Sequence, residues 1–231
     1  MSESIAMPLD GGTMTLLVER PDSTPAPAVL VLHEVFGVND DMRATCQELA
    51  ARGFLAICPD LYWRIAPGFN LSRWSEDDLP RINNLYRAFD RDRAVQDIAA
   101  LLSFSRGMAG ASGKSGLLGY CMGGLLALLT AARHGADASV AYYPGEADLY
   151  LSEAPGGRTP LLIHLGEQDE YISPGARRAI RDAFADHASV QTFSYPGCSH
   201  AFARLSGDHY DAPAAALANS RSWTFLEASL R

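Results

Sequence analysis

Lysine is nearly absent from this chain: Lys114 is the only one, and the other basic residues are arginines. Acidic residues outnumber basic ones, 27 to 19, for a net charge of -8. That balance disfavours polyanions, so neither nucleic acid nor an anionic membrane surface is an expected partner. Cysteine is scarce, with Cys46, Cys58, Cys121 and Cys198 the full set. No two of them stand at Cys-x-x-Cys spacing, and the cysteines and histidines show no zinc-site pattern. No apolar run reaches the roughly 20 residues a bilayer requires. The first eight residues lack the basic and apolar segments of a signal peptide. These absences lead to the expectation of a cytoplasmic protein with reduced thiols. Two partial motifs also fall short. Gly113-Lys114-Ser115 lacks the first glycine of a phosphate loop and precedes a strand instead of following one. His33-Glu34 lacks the second histidine of a zinc-protease helix, since position 37 is glycine. No metal, nucleotide or other cofactor is expected.

What is present suits one domain over 1–231. The chain is long enough for a substantial core, and 48% of it is hydrophobic. Residues 5–19 alternate around Asp10-Gly11-Gly12, which predicts a hairpin. Continuous apolar runs at 28–32, 54–58, 116–118, 139–143 and 160–166 read as strands buried on both faces, and 190–195 as a last strand. Helices are predicted from Asp40 or Asp41 to Arg52, 91–105, 125–133, 173–187 and 213–226. Strands alternating with helices predict an α/β fold with a mostly parallel central sheet and helices on both faces. The stretch 61–90 has two tryptophans and little periodicity. Such a long irregular insert reads as lid-like.

The chain is organised around Gly119-Tyr120-Cys121-Met122-Gly123-Gly124, between an apolar strand and an apolar helix. This is Gly-x-nucleophile-x-Gly, with cysteine in the nucleophile position. A sharp strand-to-helix turn would lift the thiol into the open and aim helix-start N–H groups at whatever it attacks. The same glycines would also serve a plain tight turn, with Cys121 a small buried hydrophobe. In parallel sheets, sites form beyond the carboxyl ends of the strands. Glu34, Cys121, Asp169 and His200 all stand at that edge. Three of them follow the order nucleophile, acid, histidine. A thiolate would attack a carbonyl, an imidazole move the proton, and a carboxylate fix the imidazole tautomer. Glu167 and Glu170 compete with Asp169 as the acid, and Asp169 fits best because it follows the turn at Gly166. His164, mid-strand, reads as a hydrogen-bonded core residue.

The chain resembles the dienelactone hydrolase family of the α/β-hydrolase superfamily. The likeness is carried by His33-Glu34-Val35-Phe36-Gly37-Val38-Asn39, Cys58-Pro59-Asp60-Leu61-Tyr62, Gly119-Tyr120-Cys121-Met122-Gly123-Gly124 and His200-Ala201-Phe202-Ala203-Arg204. The resemblance implies an α/β-hydrolase that opens a small carboxylate-bearing enol lactone, dienelactone, to maleylacetate during aromatic degradation. It implies a triad of Cys121, His200 and Asp169, with Glu34 beside the thiol. The backbone N–H groups of Met122 and Val35 would form the oxyanion hole. Arg204 would hold the substrate carboxylate, and Phe36, Tyr86 and Tyr142 would line the pocket. The family's second arginine falls at Leu79 here, with Arg81 nearby. The implied partner is a small lactone or ester, and the chain would be a monomer or small homo-oligomer. A different small ester or lactone is the alternative substrate. A non-catalytic ligand-binding protein on the same fold, or a redox thiol protein using Cys121 and Cys198, are the alternatives from other classes.

Overall fold

The computed structural model describes residues 2–153 and 159–231, in two compact units, Met1–Ser115 and Gly116–Arg231. In the first unit, strands β1 (Glu3–Leu9) and β2 (Gly12–Glu19) form the predicted hairpin, paired antiparallel from Glu3 opposite Val18 to Leu9 opposite Gly12. Strand β2 pairs antiparallel with β4 (Leu55–Pro59), and β4 pairs parallel with β3 (Ala26–Leu32). All seven residues of β3 are buried. That burial on both faces is why the run is continuously apolar instead of alternating.

Helix α1 (Asp40–Ala51) is capped by Asn39 and not by an aspartate, as had been expected. The Asn39 side chain accepts from Met42 N at 3.1 Å and donates to Leu71 O at 3.2 Å. A carboxylate could do only the first, so the amide is what ties the cap to the insert. Asp40 and Asp41 fall in the first turn, where negative charge suits the helix dipole.

The insert at 61–90 is more ordered than its sequence suggests. Asp60 accepts from Tyr62 N and Gly68 N, and Leu61, Tyr62, Trp63, Phe69 and Phe89 are buried. A short 3-10 turn (Glu76–Asp78) with a Ser75/Asp78 capping box leads into α2 (Leu79–Ala88). That box and Pro80 in the first turn were the available signals for α2. Only Ile82 of α2 is buried, so its apolar period is faint. Gly37 is where insert and β3 loop meet. Its φ is +75°, and a Cβ there would lie 1.9 Å from Phe69 O. Helix α3 (Arg91–Arg106) buries Ala94, Val95, Ile98, Leu101 and Leu102.

Strand β5 (Ala111–Tyr120) begins exposed in the first unit and becomes fully buried in the second. There β5, β6 (Ser139–Tyr142), β7 (Leu161–Gly166) and β8 (Val190–Tyr195) lie in that order, all parallel. Helix α4 (Met122–Arg133) follows β5 directly, with ten of its twelve residues buried, as an all-apolar helix must be. Helix α5 (Pro174–Phe184) buries Ala176, Arg177, Ile180 and Phe184. Helix α6 (Ala212–Leu230) runs four residues beyond its expected end. Leu230 is buried close to Gly116, where even a Cβ would come within 3.0 Å of it, so packing carries the helix past its apolar pattern. Among the described residues, no helix is long and apolar enough to cross a membrane.

Candidate active site

Cys121 sits between β5 and α4 with φ 51° and ψ -115°, a conformation that L-residues rarely adopt. Its N–H donates to Tyr142 O at 3.0 Å and its carbonyl accepts from Leu125 N at 3.0 Å, so the turn is fixed on both sides. The flanking glycines are required by space. A Cβ on Gly119 would lie 2.0 Å from Gly123 O, and one on Gly124 2.6 Å from Tyr142 O. Strand, turn and helix therefore approach more closely than any side chain allows. The thiol itself is partly exposed.

His200 follows β8, and its Nδ1 lies 2.8 Å from Asp169 Oδ2. Asp169 follows β7, and its side chain is fully buried. Its other oxygen accepts from Tyr171 N at 2.8 Å and Ile172 N at 2.9 Å. The carboxylate is thus held by two backbone donors while it faces the ring. Arg177, buried on α5, donates to the carbonyls of Asp169 and Ile172 and closes the same turn. With both Asp169 oxygens accepting, Nδ1 of His200 carries the proton. Nε2, the other ring nitrogen, is buried. Burial works against a charged ring, but negative charge on Cys121 and the bond to Asp169 outweigh it and push the His200 pKa up to about 11. The imidazolium is therefore the favoured form when the neighbouring sulfur is a thiolate.

Two of the competing acids lie elsewhere. Glu167 is exposed, and Glu170 accepts from the backbone N–H of His200 at 3.1 Å. Arg204 is buried in the turn after His200, its N–H donating to Ala201 O at 2.9 Å. Tyr142 does not sit as a pocket-lining residue would. It is fully buried on β6, and its hydroxyl donates to Asn219 Oδ1 at 2.8 Å and lies 2.7 Å from Ser222 Oγ. Its neighbour Tyr143, just past the end of β6 with φ 36°, is the one that packs on the histidine. The Tyr143 ring lies 5.0 Å from the His200 ring, edge on, and that of Tyr171 4.9 Å away. Neither had a sequence signal beyond its place after a strand.

Most of the remaining candidates belong to the first unit. Glu34 is buried, and its carbonyl faces Nδ1 of His33 at 2.6 Å. Leu61 N–H donates to Nε2 of the same ring at 3.0 Å, so Nδ1 is the protonated nitrogen. The Val35 carbonyl accepts from the Tyr62 hydroxyl, and Phe36 stacks on Trp74 with centroids 5.8 Å apart. The guanidinium of Arg81 lies over Phe69, and that of Arg91 over Tyr86. Leu79 is partly exposed. His164 is a core residue, between the Tyr195 hydroxyl at 2.8 Å and Ser222 Oγ at 2.9 Å. Cys198 is buried, which pushes its thiol pKa up, the opposite of what a resolving cysteine needs. Among the described residues no three His, Cys, Asp or Glu side chains converge as metal ligands would.

Residues 14–230 match the model of the dienelactone hydrolase family. A carboxymethylenebutenolidase of Pseudomonas putida is 40% identical over 217 residues, covering 94% of this chain and 92% of that protein. Carboxymethylenebutenolidase 1 of Cupriavidus pinatubonensis is 32% identical, with coverages of 94% and 92%. Among solved structures, a dienelactone hydrolase-like promiscuous phosphotriesterase from metagenomic libraries superposes with a TM-score of 0.82 at 23% identity, covering 100% and 99% of the two chains. The dienelactone hydrolase of Anabaena variabilis gives 0.76 at 17% identity, with coverages of 100% and 99%. These likenesses show the α/β-hydrolase fold and an ester-hydrolysing enzyme. With the family pattern running from β2 to the end of α6, the chain belongs to the dienelactone hydrolase family.

Proposed function

We propose that this enzyme opens a small carboxylate-bearing enol lactone, dienelactone, to maleylacetate through Cys121, His200 and Asp169, within a single hydrolase domain. The observation that carries the reading is the buried Asp169–His200 pair, with a cysteine held at a strained turn as its neighbour. In the first step the Cys121 thiolate attacks the lactone carbonyl. The S–C bond forms and the ring C–O bond breaks, leaving a thioester and an enolate. His200 Nε2 carries a proton the enolate can take, and the enol then becomes the ketone. Neutral His200 next draws a proton from water, which attacks the thioester and releases the carboxylate and the thiol. Asp169 keeps Nδ1 protonated throughout and stabilises the charged ring.

The backbone N–H groups of Met122 and Val35 are proposed as the oxyanion hole. For Met122 the support is its place at the first position of α4, where helix N–H groups lack helical acceptors. Family membership supports Glu34 as the group that holds Cys121 as a thiol until substrate arrives, and Arg204 as the cation for the substrate carboxylate. Phe36, Tyr86 and Arg81 are proposed in the substrate site on the same ground. The relatives' names, with carboxymethylenebutenolidase the activity of both, support dienelactone over another ester.

Turnover of dienelactone isomers, 4-nitrophenyl acetate and an uncharged lactone tests the reading. Wild type is expected to prefer dienelactone, and Cys121→Ala to lose turnover of all three. Wild-type rates in Cys121→Ala would overturn it. Arg204→Ala should raise KM for dienelactone by roughly tenfold to a hundredfold, the loss of a charge-assisted pair, and leave the neutral ester unaffected. Equal effects on both would make Arg204 structural.

A further inference from the structure

The residue after His200 is under backbone strain. Ala201 has φ 57°, and a β-carbon there carries the usual left-handed penalty. Such a conformation persists only where its surroundings over-determine it. The bonds that do so are specific. His200 N–H donates to Glu170 Oε2 at 3.1 Å. His200 O lies 3.2 Å from Nδ1 of His209, which also stands 3.5 Å from Glu170 Oε1. Both of those neighbours are acceptors, so Nδ1 of His209 carries the hydrogen. Glu170 and His209 therefore grip the two backbone polar groups of His200 and also face each other. Downstream, Arg204 N–H donates to Ala201 O and Asp211 N–H to Phe202 O, both at 2.9 Å.

The location of this grip matters. Asp169 fixes the tautomer of the ring, but its bond at Nδ1 does not reach the main chain that carries the ring. Glu170 is the next residue along the chain, in the turn already held by Arg177. The carboxylate of one residue thus orients the side chain and that of the next orients the main chain. We propose that Glu170 and His209 are positioning residues that clamp the His200 backbone and so set the imidazole against Cys121 for proton transfer. Neither touches the reacting atoms. The proposal rests on the hydrolase reading above only for its kinetic consequence. Both side chains are about half exposed, at 43% and 48%, so their mutual ion pair adds little and the hydrogen bonds to His200 are what count.

The test compares Glu170→Ala with Glu170→Gln, and His209→Ala with His209→Asn. The probe is 4-nitrophenyl acetate, with the downfield imidazole N–H proton of His200 followed by NMR. Gln keeps a carbonyl acceptor for His200 N–H, and Asn an N–H donor for His200 O. Glu170→Ala should cut kcat about tenfold with KM nearly unchanged, since misplacement of the base acts on the chemical step. It should also broaden the downfield resonance, while Tm stays within a few degrees of wild type. Glu170→Gln should recover most of the lost kcat and a sharp resonance. His209→Ala should give a smaller loss, about threefold, restored by Asn. An Ala variant at 170 with wild-type kcat and resonance would overturn the proposal, as would a Gln variant no better than Ala. Should Cys121→Ala retain activity, the hydrolase reading falls, but the NMR comparison still decides the clamp.

Discussion

Asp169→Asn is the sharpest probe of the proposed chemistry, because the structure dictates how asparagine must sit. Oδ1 of Asp169 accepts two backbone N–H groups, and Oδ2 accepts from His200 Nδ1. Asparagine has one oxygen and one NH2. If its oxygen faced His200, the NH2 would point at the Tyr171 and Ile172 N–H groups, placing donors against donors in a buried turn. The amide oxygen must therefore take the backbone position, and the NH2 must face the ring. His200 Nδ1 then becomes an acceptor, and its proton moves to Nε2. Nε2 is the nitrogen that has to take a proton from Cys121 and from water, so the base is lost. It also loses the carboxylate that stabilises the imidazolium. A wrong tautomer in a related triad costs on the order of 10⁴ in kcat, and we expect 10³–10⁴ here, or roughly 4–5.5 kcal/mol of barrier. The fold should survive, since both backbone donors keep an acceptor, with a loss of about 1–3 kcal/mol. Steady-state hydrolysis of dienelactone, with a urea unfolding curve for each protein, measures both quantities. Glu167→Gln is the control and should match wild type. A variant within about tenfold of wild-type kcat would show that His200 does not depend on Asp169 for its tautomer, and the mechanism would fail.

Glu34→Gln should speed alkylation of Cys121 by iodoacetamide at neutral pH, because removing a negative charge favours the thiolate. An unchanged or slower rate would reject the gating role. The buried histidines give a pH signature of their own. Burial pushes His33 down to about 4, and burial with the Arg221 charge pushes His164 down to about 3. In the unfolded chain both titrate near 6.5, so below that pH the unfolded state binds more protons. Stability present above pH 6.5 is then lost as pH falls towards those values, by up to about 1.4 kcal/mol per pH unit for each ring. Urea midpoints at pH 7, 6 and 5 should fall accordingly, and His164→Asn should show a shallower decline. Midpoints independent of pH over this range would mean that the rings are charged in the fold.

Much of the second unit was readable because its chemistry imposes residue types at fixed spacing. Cys121 between glycines, an acid after β7 and a histidine after β8 are each dictated by a strand end. Choosing among Glu167, Asp169 and Glu170 needed geometry, since adjacent residues in a turn point in different directions. The structure places Asp169 on the ring and Glu170 on the main chain, a division of labour that no spacing rule contains. Tyr142 shows the reverse limit. Likeness gives it a pocket role, but its hydroxyl is engaged in the core by Asn219 and Ser222, and Tyr143 is the ring beside His200.

The helical errors have a common physical cause. Helix α2 shows a faint period because it buries only Ile82, and α6 outruns its apolar pattern because Leu230 lies beyond that period yet packs by Gly116. Periodicity reports how a helix meets the core, not where hydrogen bonding stops. Strain is the feature that sequence conceals most completely. Among the described residues, the non-glycine positions with positive φ are Cys121, Tyr143, Glu146 and Ala201. Three of the four adjoin the proposed chemistry: the nucleophile, the ring packed on His200, and the residue after His200. Each is costly alone, by about 1–3 kcal/mol. Each is also held by a named backbone bond, from Cys121 N to Tyr142 O, from Tyr143 N to His164 O, and from Arg204 N to Ala201 O. Two of those acceptors are carbonyls of the neighbouring strand, so part of the cost is met by the parallel sheet itself. This is why the reactive groups gather at the ends of its strands.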